Sequence, residues 1–367
     1  MRKRVLFLID SLGGGGAEKV LVNLVNNMNT DEFDITVETM FSNGINAEKL
    51  SDKVRLFCRK APFFRGISRV FRIIPDRLLY RYFIGNEKYD CLIAYMHGAP
   101  AKVIAGCRDK KIKKFAWIHT KIAEGSTVFK FYSNKKDAVK SYGGYDRIIA
   151  VSDEVKKKFD EETGLSDKTE VIYNTNDVQN ILRLSEEKYD FESDCKHICT
   201  LGRLSSEKGF DRLVRIAGRL KKDNFKFDIH ILGEGTQRND LERLIAENDV
   251  DDTVFLDGFT NNPYRVLARS YLFVCSSFTE GLSTALSEAV ILGIPCVSTD
   301  VSGAKEVLGE NNEYGIVTEN DENSLYECIK TMLESKELYN KYKEKVAERR
   351  SFFDVEKTVG DVEKLLR

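Results

Sequence analysis

The chain has 367 residues, 42% of them hydrophobic and 31% charged, with a formal net charge of −1. That length exceeds what one hydrophobic core normally holds and predicts two domains, and the composition excludes a disordered chain. No apolar run approaches the roughly 20 residues that a spanning helix needs. The basic start has too short an apolar run, 5–9, for a secretion signal, so it is read as a first strand of a cytoplasmic protein.

Short apolar runs then alternate with helical patterns. Strands are predicted over 5–9, 35–40, 54–58, 91–94, 114–118, 147–151 and 170–173. Helices fit between them at 17–28, 67–83, 99–107, 127–141 and 154–162, the last capped by Ser152. Residues 174–195 are polar and without a strong period, which predicts an interdomain linker. The alternation restarts with strands at 197–201, 226–232, 254–256, 272–275, 296–298 and 315–317. Helices are predicted at 210–221, 237–248, 263–268, 284–292 and 322–333, with charged helices in the tail. Such alternation means parallel sheets covered by helices on both faces. The expected architecture is α/β: two tandem Rossmann-like doubly wound domains with a deep cleft between them, facing the carboxyl ends of the strands. The predicted boundaries are 1–173, the linker 174–195, the second domain 196–350, and a final helix over 351–367 that packs back on the first domain.

Charge divides unevenly, with 31 Lys and Arg against 22 Asp and Glu in residues 1–170, and 26 against 36 in 171–367. The basic half suits anionic lipid, a phosphorylated acceptor or nucleic acid. Within it, residues 59–84 carry seven Arg or Lys and one acid, Asp76, interleaved with apolar and aromatic residues. This stretch reads as a contact with anionic membrane or as a core-packing helix with snorkelling arginines, interrupted at Pro75. The eight cysteines are scattered without a CxxC pair, which fits reduced thiols. Cys195, His197 and Cys199 alternate and share one strand face, but no fourth ligand stands at a zinc-like spacing, so no metal is expected.

Several loops carry chemistry. Residues 10–17, DSLGGGGA, join the first strand to a helix; the glycines allow close backbone approach, yet neither the dinucleotide fingerprint nor a Walker A loop fits. Residues 202–209, GRLSSEKG, follow the first strand of the second half and put Arg203 and Lys208 five apart, a fork and a point charge suited to a diphosphate. Gly233, and Gly258 with Phe259, end the next strands; backbone at the latter pair fits either the reading of a base edge or turn chemistry alone. Residues 276–295 hold Glu280 on a loop and Glu288 in a helix capped by Ser283 or Thr284. The two carboxylates fit either the hydroxyls of a sugar nucleotide or a pair of solvated acids. His119 ends the strand over 114–118 and fits a structural or a catalytic role, with His97 as a weaker rival.

These motifs, in this order, resemble the GT-B glycosyltransferases of family 4, the glycosyl transferases group 1. The matching pieces are the G-G-A-E loop, G-R-L-x-x-E-K-G-F, the G-E-G turn, L-D-G-F and E-G-L-S-x-A-L-S-E-A. Two departures, Thr175 after Asn174 and Ser283 after E-G-L, touch no charged group. The resemblance implies a retaining enzyme that moves a hexosyl or N-acetylhexosaminyl group from a nucleotide-sugar, UDP being favoured, to a glycan or lipid-linked acceptor in surface polysaccharide synthesis. It implies that Arg203 and Lys208 bind the diphosphate, that Glu288 holds the ribose and that Glu280 contacts the transferred sugar. Gly281, Leu282 and Ser283 would approach the phosphates, Gly15 and Gly16 would close over the donor, and His119 would lie near the anomeric carbon. No Asp-x-Asp stands on the loops that carry these motifs, so transfer is expected to need neither metal nor cofactor, and nucleic acid is not expected as a partner. The alternatives are a nucleotide-sugar epimerase of the same architecture and a non-catalytic sugar-nucleotide-binding partner subunit.

Overall fold

A computed structural model describes residues 2–122 and 128–367. The chain divides into two compact units, one of residues 1–175 with 355–367 and one of residues 176–354.

The first unit is built on a seven-stranded, wholly parallel sheet. Its elements are β1 (Lys3–Ser11), α1 (Gly16–Asn27), β2 (Phe33–Ser42), β3 (Arg55–Cys58), α2 (Ile67–Ile73), α3 (Asp76–Phe83), β4 (Cys91–Ala94), α4 (Ala99–Ala105), β5 (Lys113–Ile118), α5 (Lys135–Tyr142), β6 (Arg147–Ala150), α6 (Asp153–Thr163) and β7 (Thr169–Val171). The strand order is β3-β2-β1-β4-β5-β6-β7. Val5 through Ile9 of β1 are fully buried, as a central strand covered on both faces requires. Ser152 caps α6 as expected, its Oγ accepting from the N–H of Val155 at 3.2 Å.

Two expectations need correction here. The single helix over 67–83 is two helices. Pro75 has no N–H to continue α2, and its carbonyl instead starts α3 by accepting from Leu79 at 3.2 Å. Buried Lys102 reaches the carbonyl end of α2, donating to Phe71 O and to Arg72 O, where a cation complements the helix dipole. The helix expected over 127–141 starts on Thr127, which lies outside the described residues; the helix there is α5, capped by Asn134, whose side chain accepts from Asp137 N at 2.9 Å.

The second unit carries α7 (Val178–Ser185), β8 (Lys196–Leu201), α8 (Phe210–Lys222), β9 (Phe227–Leu232), α9 (Arg238–Glu247), β10 (Val254–Gly258), α10 (Tyr264–Leu267), β11 (Leu272–Cys275), α11 (Thr284–Ile291), β12 (Cys296–Thr299), α12 (Ala304–Leu308), β13 (Ile316–Thr318), α13 (Glu322–Glu334) and α14 (Lys336–Glu348). Its sheet is also all-parallel, ordered β10-β9-β8-β11-β12-β13. The core lies between sheet and helices, with Ile198, Ile229 and Val274 against Leu213, Ile216 and Ile329. Residues 174–195 are not a bare linker. Asp177 accepts from Asn180 N at 3.1 Å and starts α7, whose Ile181 is buried. The helix α12, which the sequence pattern did not suggest, is five residues long and too short to show a period.

The last helix, α15 (Val355–Leu366), returns to the first unit. Glu363 accepts from Asn29 N at 2.7 Å, Arg367 pairs with Glu32 at 2.9 Å, and Lys3 donates to Leu366 O at 3.0 Å.

Both sheets share the doubly wound order, with switch points between β1 and β4 and between β8 and β11. Chain connections leave such a sheet in opposite directions there, so ligands sit beyond the carboxyl ends of those strands.

Candidate active site

In the second unit the loops after β8 and β11 flank the switch point, and Arg203, Lys208 and Glu280 lie on them. Lys208 is in a short 3-10 turn, Ser206–Lys208. Its Nζ lies 2.6 Å from Glu280 Oε1, with 23% and 12% of the two side chains exposed. Burial acts to lower the lysine pKa, but the Glu280 carboxylate outweighs it and holds the ammonium above its ordinary value. Ser277 Oγ donates to the same Glu280 oxygen at 2.6 Å, and Ser276 Oγ donates to Lys208 O at 2.9 Å. The two loops are therefore tied together by side chains at both levels. Arg203 is exposed, and its guanidinium makes no hydrogen bond or ion pair among the described residues.

Ser283 is the cap of α11, accepting from Leu286 N at 3.4 Å. Glu288, the fifth residue of that helix, is 2% exposed. This excludes the reading of both acids as solvated. Gly281, Leu282 and Ser283 are buried between the Glu280 loop and α11.

Close backbone packing shapes the rest of this rim. Gly233 has φ +150°, and a Cβ there would collide with the carbonyl of Gly202. Its N–H donates to Gly258 O at 2.8 Å, so the ends of β8, β9 and β10 meet backbone to backbone. Phe259, next in the chain, is 52% exposed.

Further side chains support these groups from beneath. Besides Ser277, Thr299 Oγ1 donates to Ser277 O at 2.7 Å from the end of β12. Asn320 donates to Phe278 O at 3.1 Å and accepts from buried Arg212 at 2.9 Å; the Arg212 guanidinium stacks 3.8 Å over the Phe278 ring. Ser277, three residues before Glu280, was visible in the motif. Thr299 and Asn320 had no local signal, because only the tertiary fold brings them under the loop.

In the first unit the corresponding loop follows β1. Gly15 caps α1 at φ −81°, and Gly16 is its first residue. A Cβ on Gly15 would strike the carboxylate of Glu18, while one on Gly13 or Gly14 would meet only side-chain atoms, at 3.5 and 3.3 Å. None of these residues has positive φ, so neither backbone conformation nor packing demands glycine at 13 or 14. Their bareness leaves the loop open to close approach. Asp10, the penultimate residue of β1, has an oxygen shut off from solvent without a partner. Burial, and then the Glu18 charge, push its carboxyl up to about 7.

His119 follows β5 and His97 follows β4, on the same rim of that unit. The His119 ring lies 5.0 Å from the Tyr95 ring. Burial, then His97, lower its pKa to about 3 despite a hydrogen bond with the Tyr95 backbone. Burial lowers His97 to about 4. Both rings are neutral at physiological pH.

With this geometry in hand, comparison with known proteins locates the chain. The family models "Glycosyltransferase Family 4" and "Glycosyl transferases group 1" match residues 14–180 and 183–349. The chain is 30% identical to the N-acetylgalactosamine-N,N'-diacetylbacillosaminyl-diphospho-undecaprenol 4-alpha-N-acetylgalactosaminyltransferase of Campylobacter jejuni, over all of both chains. It is 29% identical to the poly(ribitol-phosphate) alpha-N-acetylglucosaminyltransferase of Staphylococcus aureus, over 41% of this chain and 31% of that one. Among solved structures, Anabaena HepE in complex with UDP-glucose superposes with a TM-score of 0.79 at 19% identity, covering 100% and 99% of the two chains. The two doubly wound units and the motifs they carry are thus those of a known enzyme fold, and the chain belongs to the GT-B glycosyltransferases of family 4.

Proposed function

We propose that this glycosyltransferase moves a hexosyl or N-acetylhexosaminyl group from a UDP-sugar to a glycan or lipid-linked acceptor with retention and without a metal. The observation that carries the proposal is the Lys208–Glu280 pair at 2.6 Å on the switch-point loops, with the Arg203 guanidinium open beside it in the chain. In this reading Lys208 and Arg203 take the donor diphosphate, offsetting the charge that develops on the leaving group. Glu280, oriented by Ser277 and Lys208, accepts from sugar hydroxyls, and Glu288 accepts from the ribose. The preference for UDP rests on HepE having been solved with UDP-glucose.

The chemistry follows from the charges. The bond from the anomeric carbon to the phosphate oxygen breaks, and its electron pair goes to the phosphate. The acceptor oxygen bonds to the anomeric carbon on the same face, and the acceptor proton passes to the departing phosphate. Glu280 is occupied with Lys208 and Ser277 and has no role as a nucleophile. Neutral His119 is assigned to polarity near the anomeric carbon rather than to proton transfer, since burial disfavours its charged form. Proton NMR of the product tests retention: an α-linked donor gives an α-linked product, and a β-linked product rejects the mechanism. Activity that survives exhaustive chelation is expected, and its loss with recovery on adding Mg²⁺ or Mn²⁺, but not on adding Zn²⁺, counts against metal independence.

A lipid-linked acceptor agrees with the surface of the first unit. Of the ten large hydrophobic side chains exposed among the described residues, six (Phe63, Phe64, Val70, Ile73, Leu78 and Tyr82) lie within 63–82. Arg65, Arg69, Arg77 and Arg81 are exposed among them and form no ion pair among the described residues. Apolar side chains beside unpaired arginines suit the headgroup region of an anionic bilayer. No described helix is long and apolar enough to cross a membrane, so the proposed contact is peripheral. Sedimentation with anionic but not zwitterionic liposomes is the expected result.

A further inference from the structure

At the amino end of the second sheet, about 20 Å along β8 from the Arg203 loop at its ordinary rise, two of the four histidines meet. Alternation places Cys195 and His197 on one face of the chain entering β8, and Asp228 and His230 on one face of β9; register pairs His197 with Asp228. His197 Nδ1 lies 3.3 Å from His230 Nε2 and 3.6 Å from Asp228 Oδ2. Cys195 Sγ, His197 and Asp228 have ligand atoms all within 4.8 Å of one another. Ser193 Oγ lies 3.3 Å from Cys195 Sγ and donates to Asp228.

The outer ring nitrogens are also held. His197 Nε2 lies 3.0 Å from the carbonyl of Ser193, and His230 Nδ1 lies 3.0 Å from Asp257 Oδ2. Asp257 is the extra residue where the β10 register shifts between Leu256 and Gly258, a bulge that re-aims its side chain. The run from Ser193 O through both rings to the Asp257 carboxylate therefore has three polar contacts in series. Its two ends only accept, and two neutral imidazoles bring only one proton each. With each ring donating outward, two lone pairs face one another across 3.3 Å. A cation between them resolves this.

We infer that Cys195, His197, Asp228 and His230 form a site for one Zn²⁺ ion, remote from the glycosyl-transfer chemistry. Tetrahedral zinc with bonds of 2.0–2.1 Å to nitrogen and oxygen sets its ligands about 3.3–3.4 Å apart, close to the two separations found here. A sulfur, two imidazoles and a carboxylate suit zinc better than a hard cation. Asp257 and the Ser193 carbonyl supply the outer hydrogen bonds that orient metal-binding histidines. Phe191 stacks on His197 at 3.7 Å between centroids and roofs the cluster. The ion would clamp the segment before β8 onto β8 and β9.

The full chain, stripped by chelation and dialysed, is titrated with Zn²⁺ and with Co²⁺. One equivalent of each is expected to bind, with the intense visible bands of tetrahedral Co²⁺ and a sulfur-to-cobalt charge-transfer band, and with a rise in Tm. Cys195→Ser abolishes the charge-transfer band, His197→Gln abolishes stoichiometric binding, and Asp257→Asn lowers affinity by roughly 10–100-fold. Cys328→Ser, on α13, is the control and leaves the spectrum unchanged. Absence of saturable binding overturns the inference, as does binding that Cys195→Ser and His197→Gln both leave intact. A proton shared between the two rings that persists in ¹⁵N spectra under excess Zn²⁺ overturns it too. Should His197→Gln fail to fold, Cys195→Ser at the edge of the cluster decides alone.

Discussion

The loops after β1 and after β8 occupy equivalent places in two sheets of the same strand order, yet they are built in opposite ways. The β8 loop is cationic, with Arg203 open and Lys208 tied to Glu280, and backbone closes it in: Gly209 has φ +62° and a Cβ there would strike Ser276 O, while a Cβ on Gly233, after β9, would strike Gly202 O. The β1 loop carries acids underneath, Asp10 and Glu18, and glycines at 13 and 14 that the fold does not require. One fold position therefore takes two forms. The first is charged and packed backbone to backbone. The second is bare, with carboxyl groups beneath it.

Several substitutions sharpen or break this contrast. The largest effect is expected in the cationic loop: Arg203→Ala and Lys208→Ala each lower turnover by about 100-fold or more, as loss of one preorganised transition-state donor does. Arg203→Ala leaves Tm unchanged, since that side chain is exposed and unpaired within the described residues. Unchanged turnover in either variant removes the charge argument. The glycine contrast comes next. Gly233→Ala forces φ +150° and a backbone collision, and is expected to cost about 1–3 kcal/mol in a denaturant melt. Gly15→Ala needs only a shift of the Glu18 side chain and costs less than about 1 kcal/mol; equal losses break the comparison.

Ser277→Ala removes one hydrogen bond to a charged carboxylate. It is expected to reduce kcat/KM by roughly tenfold, about 1.4 kcal/mol, with the fold intact.

The acid in the β1 loop is tested by pH. The folded state raises the Asp10 pKa from 3.8 to about 7, so its contribution to stability is present below 3.8 and is lost as pH rises through 7. Asp10→Asn is therefore expected to gain on the wild type steadily between pH 4 and pH 7, and to exceed it by on the order of 4 kcal/mol at pH 8. His97 and His119 run the other way. Their folded values, about 4 and 3, lie below the ordinary 6.5, so the stability of keeping them neutral is full above 6.5 and declines as pH falls through 4 and 3. A variant lacking both rings flattens the acid limb of the stability profile by about 1–2 kcal/mol.

Much of this was legible from the chain alone. Buried strands such as β1 are continuous apolar runs, and the caps at Ser152 and Ser283 stand where side-chain oxygens meet unpaired helix N–H groups. Composition also separated a basic half from an acidic one. The motif residues Arg203, Lys208, Glu280 and Glu288 could be placed on loops and a helix because their spacing relative to strands is local information.

What the sequence left open was decided by contacts between distant segments. No local pattern could show that Ser277 and Lys208 share one oxygen of Glu280, or that Thr299 and Asn320 support that loop from below. Polar residues 174–195 read as a linker because a short helix buried by one residue, Ile181, leaves almost no periodic trace. The cluster at Cys195 depended most on the fold. Along the chain His197 has no fourth ligand in reach, and only parallel pairing of β8 with β9, at this register, brings Asp228 and His230 to it.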